Sequence, residues 1–83
     1  MKISLKYFAS VREALGTGQF SVETDATTLG ALRDELIRRD ETHALVLARG
    51  KSVRMALNQV MSGEDAVLAD GDEVAFFPPV TGG

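Results

Sequence analysis

The sequence predicts an α+β roll in which one sheet wraps around one main helix. Segments that alternate with period two lie near both ends of the chain, and one longer segment between them has helical spacing. With 83 residues, the chain has room for one domain, near the size at which a single core only just offsets backbone entropy. We therefore expect one domain over residues 1–83, with 78–83 as a flexible C-terminal tail.

The first two strands follow from alternation. In residues 2–8, Ile3, Leu5 and Tyr7 share one side and the polar residues share the other. The segment QFSVE at 19–23 alternates again, and the glycines of the GTG before it suit a tight return. We expect these strands to be antiparallel neighbours.

A short helix is predicted between them in SVREALG. Ser10 and Glu13 have the spacing of a capping box, and Gly16 stands where a left-handed residue ends a helix. One or two helical turns should result.

The main helix is predicted in TTLGALRDELIRRD, which Thr28 can cap. Apolar residues recur there at three- and four-residue steps, so one side of the helix should cover the sheet. The inward positions are Leu29, Leu32, Leu36 and Ile37, and the outward positions are Arg33, Asp34, Arg38 and Arg39.

The second half of the chain is less regular. ETHALVLA fits either a short helix or an irregular packed segment, because Leu45 and Leu47 also suggest period two. VRMALNQVM predicts strand residues around a turn at Asn58 and Gln59, and DGD at 70–72 predicts a turn before the last strand, EVAFFP. The first and last strands should lie side by side at the centre of the sheet.

Composition excludes several classes of function. The absence of cysteine excludes disulfides, thiolate nucleophiles and Cys-based metal sites, and one histidine leaves little for imidazole chemistry. A net charge of −3 with scattered basic residues argues against nucleic-acid binding. No apolar run is long enough for a membrane span, and the N-terminus does not resemble a signal peptide, so we expect a cytoplasmic protein without a membrane partner.

Three local features favour structural over chemical roles. RGKS at 49–52 lacks the earlier glycine of a phosphate loop, since position 45 is leucine, and is interpreted as a solvated basic turn. His43 has no second histidine nearby and is predicted to be a surface or half-buried residue. No pair of carboxylates has a spacing that indicates acid–base catalysis, and no metal site is expected.

The parity of the last strand predicts an exposed aromatic residue. If Glu73 faces water, Ala75 and Phe77 share its face, whereas Val74 and Phe76 enter the core. Phe77 is therefore predicted to be exposed.

Two more apolar residues extend this predicted surface. Phe8 has the outward parity of the first strand, and Met61 follows the turn near Asn58. An exposed apolar patch of this kind beside a chain terminus favours a docking site. The alternative is that residues 41–52 cover Phe8, Met61 and Phe77.

The segment FFPPVTGG raises a second functional possibility. Pro78 and Pro79 remove two backbone donors and end the sheet, which directs the chain outward. Gly82 and Gly83 are then either a passive flexible end or a thin arm that can enter a narrow channel in a partner. A carboxylate is unreactive until a partner activates it, for example by adenylation with ATP.

Three segments of the chain closely resemble the small subunits of molybdopterin synthase, a family of ubiquitin-like sulfur carriers with the β-grasp fold. These segments are YFASVREALG, LNQ and above all DGDEVAFFPPVTGG. The resemblance runs the length of the chain and implies a mixed sheet packed on one main helix. It further implies that an adenylyltransferase similar to ubiquitin-activating enzymes uses ATP to adenylate Gly83. A sulfur-donating enzyme then supplies sulfur that replaces AMP, so that Gly83 ends in a thiocarboxylate.

The resemblance also implies where the sulfur goes. The tail enters the large synthase subunit and donates sulfur to cyclic pyranopterin monophosphate, forming the molybdopterin dithiolene. The chain would be a sulfur-donating subunit without an active site or permanently bound cofactor of its own. The partner-binding positions implied are Phe8, Arg12, Met61, Phe77, Pro78, Pro79, Val80, Thr81 and Gly82.

Two alternatives remain open from the sequence. The chain could be a β-grasp carrier for thiamine or cysteine synthesis, or a ubiquitin-like protein modifier, because these proteins share the diglycine. It could also be a protein-interaction module of the same fold whose glycines are passive.

Overall fold

Five strands form one mixed sheet in the computed structural model, which describes residues 1–79. Across the sheet the order is β2-β1-β5-β3-β4; β1 and β5 are parallel, and the other neighbours are antiparallel. The antiparallel pairing of the first two strands and the adjacency of the first and last strands confirm the predictions. The strands are β1 Lys2–Tyr7, β2 Gln19–Glu23, β3 Arg54–Leu57, β4 Val60–Met61 and β5 Glu73–Phe77.

Three helices accompany the sheet within the described residues: α1 Ala9–Leu15, α2 Leu29–Ile37 and α3 Glu41–Leu47. Thr28 caps α2 as predicted, because its Oγ1 accepts a hydrogen bond from the Ala31 N–H at 3.2 Å. Asp40 caps α3 by accepting from the His43 N–H at 2.8 Å. The segment left open between helix and irregular structure is thus a helix. No helix in residues 1–79 is long and apolar enough to cross a membrane.

The start of α1 differs from the prediction. The N-cap is Phe8, which makes no side-chain cap bond, so Ser10 lies inside the first turn and does not form the predicted capping box. The end is as predicted: Gly16 has φ 73° and its N–H donates to Arg12 O at 3.0 Å.

Arg33 was predicted to lie on the outer side of α2 but is buried. Its Nε donates to Leu47 O at 2.7 Å, and its Nη2 donates to Ala48 O at 3.1 Å. These are carbonyls at the end of α3, where the helix has no further N–H groups to satisfy them. Arg33 therefore joins α2 to α3, and burial lowers the pKa of its guanidinium.

The core lies between the sheet and α2, with contributions from α1 and α3. Burying this set is the main stabilising term in a domain of this size. Its members are Ile3, Leu5, Tyr7, Val11, Leu29, Leu32, Leu36, Leu47, Met55, Leu68, Val74 and Phe76.

His43 is buried, more deeply than the predicted surface or half-buried position. Its Nε2 lies 3.1 Å from the Tyr7 hydroxyl, and its Nδ1 lies 2.9 Å from Asp40 Oδ1. Burial raises the pKa of Tyr7, so the phenol stays protonated and is the hydrogen-bond partner of Nε2. Asp40 is a carboxylate and can only accept, so Nδ1–H is the donor to it, and both ring nitrogens have a partner.

Candidate functional site

An apolar patch crosses the outer face of the sheet. Residues directly opposite one another in paired strands share a face, and Ala56 lies opposite both Ala75 and Met61. Phe77 lies opposite Arg54 on the same face. Phe8 follows Tyr7, which pairs with Phe76, and therefore lies beside Phe77. We define the outer patch as Phe8, Ala56, Met61, Ala75 and Phe77.

The two ends of the outer patch are open to solvent. Phe8 is 48% exposed and Met61 59%. The alternative that residues 41–52 cover these side chains is wrong, because α3 packs on α1 and α2 instead. Large exposed apolar side chains grouped on one face are typical of docking sites.

The middle of the outer patch is more buried than predicted. Ala56 and Ala75 are buried, and Phe77 is half-buried, not exposed. β5 has a strand on each side, so longer side chains on β1 and β3 flank its outward residues. Parity identified the correct face for Phe77 but could not show how far its neighbours shield it.

A tight turn holds Phe8 at the end of β1. Ala9, the next residue, has φ 51°, in the left-handed region that a residue with Cβ adopts at a cost. The Phe8 N–H donates to Phe76 O at 3.2 Å, and its carbonyl accepts from Val11 N at 3.1 Å and Arg12 N at 3.3 Å. The exposed ring therefore stands on an anchored backbone.

Charged groups border the patch. Lys6 Nζ lies 3.0 Å from Glu73 Oε1 across β1 and β5. Arg12 is exposed and lies along Gly18, where an added Cβ would be 3.2 Å from Arg12 Cδ. A groove of about 380 Å³ borders Met61, and another of about 350 Å³ is lined by Phe8, Arg12 and Gln19 among others. The role of Gly18 in seating Arg12 was not predicted.

The prolines end β5 at Phe77, as predicted. Both are half-buried, and Pro78 lines a groove between α1 and α3, on the helical side of the sheet. Pro78 is therefore not part of the outer patch. The predicted site residues Val80, Thr81, Gly82 and Gly83 lie outside the described residues.

The basic segment after α3 holds elements together. Arg49 Nη2 donates to Glu64 Oε1 at 2.6 Å and to Gly30 O at 3.2 Å, and Nη1 pairs with Asp34. These bonds lower the pKa of the Glu64 and Asp34 carboxyls. The interpretation of 49–52 as a merely solvated turn missed this contact, because its acidic partners are distant in sequence.

The family profile of ThiS proteins matches residues 5–83. The chain belongs to the ThiS family. Among curated relatives of this ThiS-family chain, the molybdopterin synthase sulfur carrier subunit of Escherichia coli is 47% identical over 81 residues, covering 98% of this chain and 99% of the relative. Small archaeal modifier protein 3 of Haloferax volcanii is 32% identical and covers 100% of both chains.

Solved structures confirm the fold of this ThiS-family chain. SAMP1 from Haloferax volcanii superposes with a TM-score of 0.78 at 27% identity, over 100% of both chains. A chain from the complex of subunits 1 and 2 of the molybdopterin-converting factor of Helicobacter pylori superposes with a TM-score of 0.69 at 27% identity, again over 100% of both chains. The β-grasp fold and the family implied by the sequence motifs are thereby confirmed.

Proposed function

We propose that this chain is the sulfur carrier subunit of a molybdopterin synthase, with the carboxyl group of Gly83 as the site that carries sulfur. The observation that supports this most directly is the 47% identity, over 98% of the chain, to a protein named for that function. The family match extends to residue 83. The neighbour from Helicobacter pylori was solved as a complex of subunits 1 and 2, which supports a large synthase subunit as the partner.

The proposed chemistry takes place at partners. An adenylyltransferase joins the Gly83 carboxylate to AMP from ATP, releasing pyrophosphate, because a carboxylate is a poor electrophile until it has a leaving group. A sulfur-donating enzyme then supplies sulfur at the oxidation level of sulfide, which displaces AMP as the leaving group and leaves a thiocarboxylate. ATP is thus consumed by the activating partner, and the carrier needs no resident cofactor.

The outer patch fits the docking step. Its exposed ends, Phe8 and Met61, offer apolar area to a partner, and Arg12 and the Lys6–Glu73 pair supply a polar border. The patch includes the last residue of β5, six positions before Gly83. A partner seated on the patch would therefore receive the segment that leads to the reactive group.

The tail residues complete the proposal. Gly82 and Gly83 lack side chains and could pass through a channel that excludes larger residues, with Thr81 and Val80 forming the approach. We also propose that the protein acts in the cytoplasm, where ATP is available for the activation step.

A reconstituted assay tests this function. The full chain, the adenylyltransferase, ATP, a sulfur donor, the large subunit and cyclic pyranopterin monophosphate should yield molybdopterin. Deleting Gly83 should abolish the product and leave thermal unfolding unchanged, because Gly83 lies seven positions beyond Phe76, the last residue of the core. A Val60→Ala variant, altered at an exposed side chain of β4, should retain product formation. Product formation by the Gly83 deletion would refute the proposal.

A second candidate is a protein modifier, favoured by the 32% identity to small archaeal modifier protein 3. In that case activated Gly83 would form an amide bond with a lysine of another protein. Incubation of the tagged chain with a cell extract and ATP, followed by peptide sequencing, distinguishes the two candidates. Lysines carrying the Gly83 remnant would support the modifier.

A further inference from the structure

The two edges of the sheet present very different amounts of backbone. β4 closes one edge with two residues, whereas β2 closes the other with five. Short edges, charged side chains (above all lysine), prolines and bulges are the usual features that keep an edge strand from pairing with another chain. β2 has the sequence QFSVE and pairs with β1 in one continuous register, so it has no lysine, proline or bulge, and its one charged residue is Glu23 at its end.

The hydrogen-bonding direction along β2 can be assigned from its ends. Tyr7 N donates to Gly18 O, and Thr24 N donates to Met1 O, each at 2.9 Å. Both pairs continue the β1–β2 register. Because hydrogen-bonded pairs alternate in an antiparallel ladder, the even-numbered residues of β2 bond to β1.

The odd-numbered residues Gln19, Ser21 and Glu23 consequently direct their N–H and C=O groups away from the sheet. Within residues 1–79 the one contact to these groups is from Thr17 Oγ1 to Gln19 O, at 3.4 Å. This is a long hydrogen bond. The side chains of the same three residues are exposed on the outer face.

We propose that β2 is a self-association edge, which pairs antiparallel with β2 of a second copy about a two-fold axis at Ser21. The sheets of the two copies would then form one continuous sheet. The pairing would form about six backbone hydrogen bonds, two from each pair of outward residues that face each other. It goes beyond the proposed sulfur-carrier function and does not depend on it.

The side chains of β2 are complementary to themselves in this register. On the outer face Gln19 of one copy lies opposite Glu23 of the other, where the amide can donate to the carboxylate. On the inner face Phe20 lies opposite Val22, an aromatic and β-branched pair of the kind that stabilises antiparallel strands. Each contact occurs twice because of the two-fold axis.

Other registers fit less well. A shift by two residues in one direction places Glu23 opposite Thr17, and a shift in the other places Gln19 opposite Asp25. Both Thr17 and Asp25 lie outside β2, so in each shifted register only two hydrogen-bonded pairs lie within β2, compared with three when the axis is at Ser21. The register centred on Ser21 is therefore the one that uses the whole strand.

The self-association should be weak. Two five-residue strands bury much less than the roughly 1,200–2,000 Å² of a stable interface. We expect a dissociation constant on the order of 0.1–1 mM. None of the outer-patch residues belongs to β2, so the two surfaces can be altered separately.

Sedimentation equilibrium of the full chain, from about 10 μM to about 1 mM, tests the proposal. Ser21→Pro removes an outward N–H that has no partner within residues 1–79, and proline is tolerated at such edge positions. Ser21→Ala keeps the N–H and is the matched control. Wild type and Ser21→Ala should dimerise with concentration, and Ser21→Pro should dimerise at least about tenfold more weakly.

Amide hydrogen exchange of the wild-type chain provides a test that needs no variant. The Ser21 amide should become protected as concentration rises. In a sample that mixes isotope-labelled and unlabelled copies, a nuclear Overhauser effect should join the Hα proton of Phe20 in one copy to that of Val22 in the other.

Several outcomes would overturn the proposal. One is a chain that stays monomeric at 1 mM with an unprotected Ser21 amide. Another is a dimer that Ser21→Pro leaves intact but Met61→Ser disrupts, since the outer patch would then be the interface. Protection of the Ser21 amide only when the large subunit is added would assign the edge to a different protein.

Discussion

Phe8 owes its exposure to a turn that the sequence pattern did not reveal. The alternation of β1 gave Phe8 an outward parity, and Phe8 was assigned to the predicted apolar surface in this way. The left-handed conformation of Ala9 could not be predicted from the sequence, because alanine, unlike glycine, does not indicate positive φ. Parity therefore predicted the face, whereas long-range contacts determined how exposed each patch residue is.

Phe8→Ala should weaken binding to the large subunit by at least about tenfold, because a half-exposed aromatic at the rim of a patch contributes mainly to the complex. The free energy of unfolding should fall by less than about 1 kcal/mol. Calorimetric titration and urea unfolding measure the two quantities.

Val60→Ala is the matched control for this prediction. Val60 is 65% exposed and neighbours Met61 on the same strand, but has the opposite parity. Its replacement should leave binding unchanged. Equal losses of affinity in Phe8→Ala and Val60→Ala would contradict the assignment of the outer patch.

Tyr7→Phe should destabilise the fold by about 1–3 kcal/mol, because it leaves the buried His43 Nε2 without its partner at 3.1 Å. Urea unfolding measures the change. In a double-mutant cycle, Tyr7→Phe should cost much less when His43 has already been replaced by leucine. Additive losses would show that the hydrogen bond does not couple the two residues.

At the scale of elements, local signals predicted what local geometry determines. Alternation identified β1, β2 and β5, and Thr28 marked the start of α2. Helix α3 was left open because Leu45 and Leu47 suggested period two. The structure shows that Leu45 is exposed and Leu47 buried, so the apparent alternation included a residue outside the core.

Interactions between elements were harder to predict. Arg33 was predicted to be an outward charge, and residues 49–52 a solvated turn. Arg33 instead donates to a carbonyl at the end of α3, and Arg49 joins α2 to Glu64. Their partners are 14 and 15 residues away. Helical periodicity contains no information about such partners.

Gln59→Gly should stabilise the β3–β4 hairpin. Asn58 and Gln59 have φ of 50° and 70°, and the second position of such a turn favours glycine, which adopts positive φ without a Cβ clash. We expect a gain of about 0.5–1 kcal/mol in the free energy of unfolding. Thermal unfolding checks this. Gln59→Ala, which keeps Cβ, should show no such gain, and equal stability of the two variants would contradict the turn geometry.

At the scale of the whole molecule, several carboxylates make stability depend on pH. Hydrogen bonds from the Asn58 side chain and the Ala69 N–H lower the pKa of Asp72, and Arg49 lowers those of Asp34 and Glu64. A carboxyl whose pKa is lower in the folded state stabilises the fold above its unfolded pKa, near 4. That contribution is lost as the pH falls through the folded pKa.

Unfolding measured between pH 6 and pH 2 should therefore show a loss of stability that begins below about pH 5. Asp72→Asn should lose less stability over this range than wild type, because one of the titrating groups is absent. Parallel curves for the two proteins would contradict the role assigned to Asp72.

The motifs predicted the fold and the family of the molecule but not all of its functional surfaces. The β-grasp body and its family followed from DGDEVAFFPPVTGG and the N-terminal segment, and both are confirmed. The self-association edge was not predicted, because it depends on which strand of the sheet is left at the margin. Residues 80–83 lie outside the described residues, and the role of Gly83 as the sulfur-carrying group stays a proposal.

Intact-mass spectrometry of the full chain is the most direct test of the central claim, that Gly83 carries sulfur. The chain is incubated with the adenylyltransferase, ATP and a sulfur donor, and the same reaction without ATP is the control. The account predicts an increase of about 16 Da, from replacement of one carboxyl oxygen by sulfur, which fragment ions place on Gly83. An unchanged mass with an adenylyltransferase that loads a known carrier in parallel would contradict it.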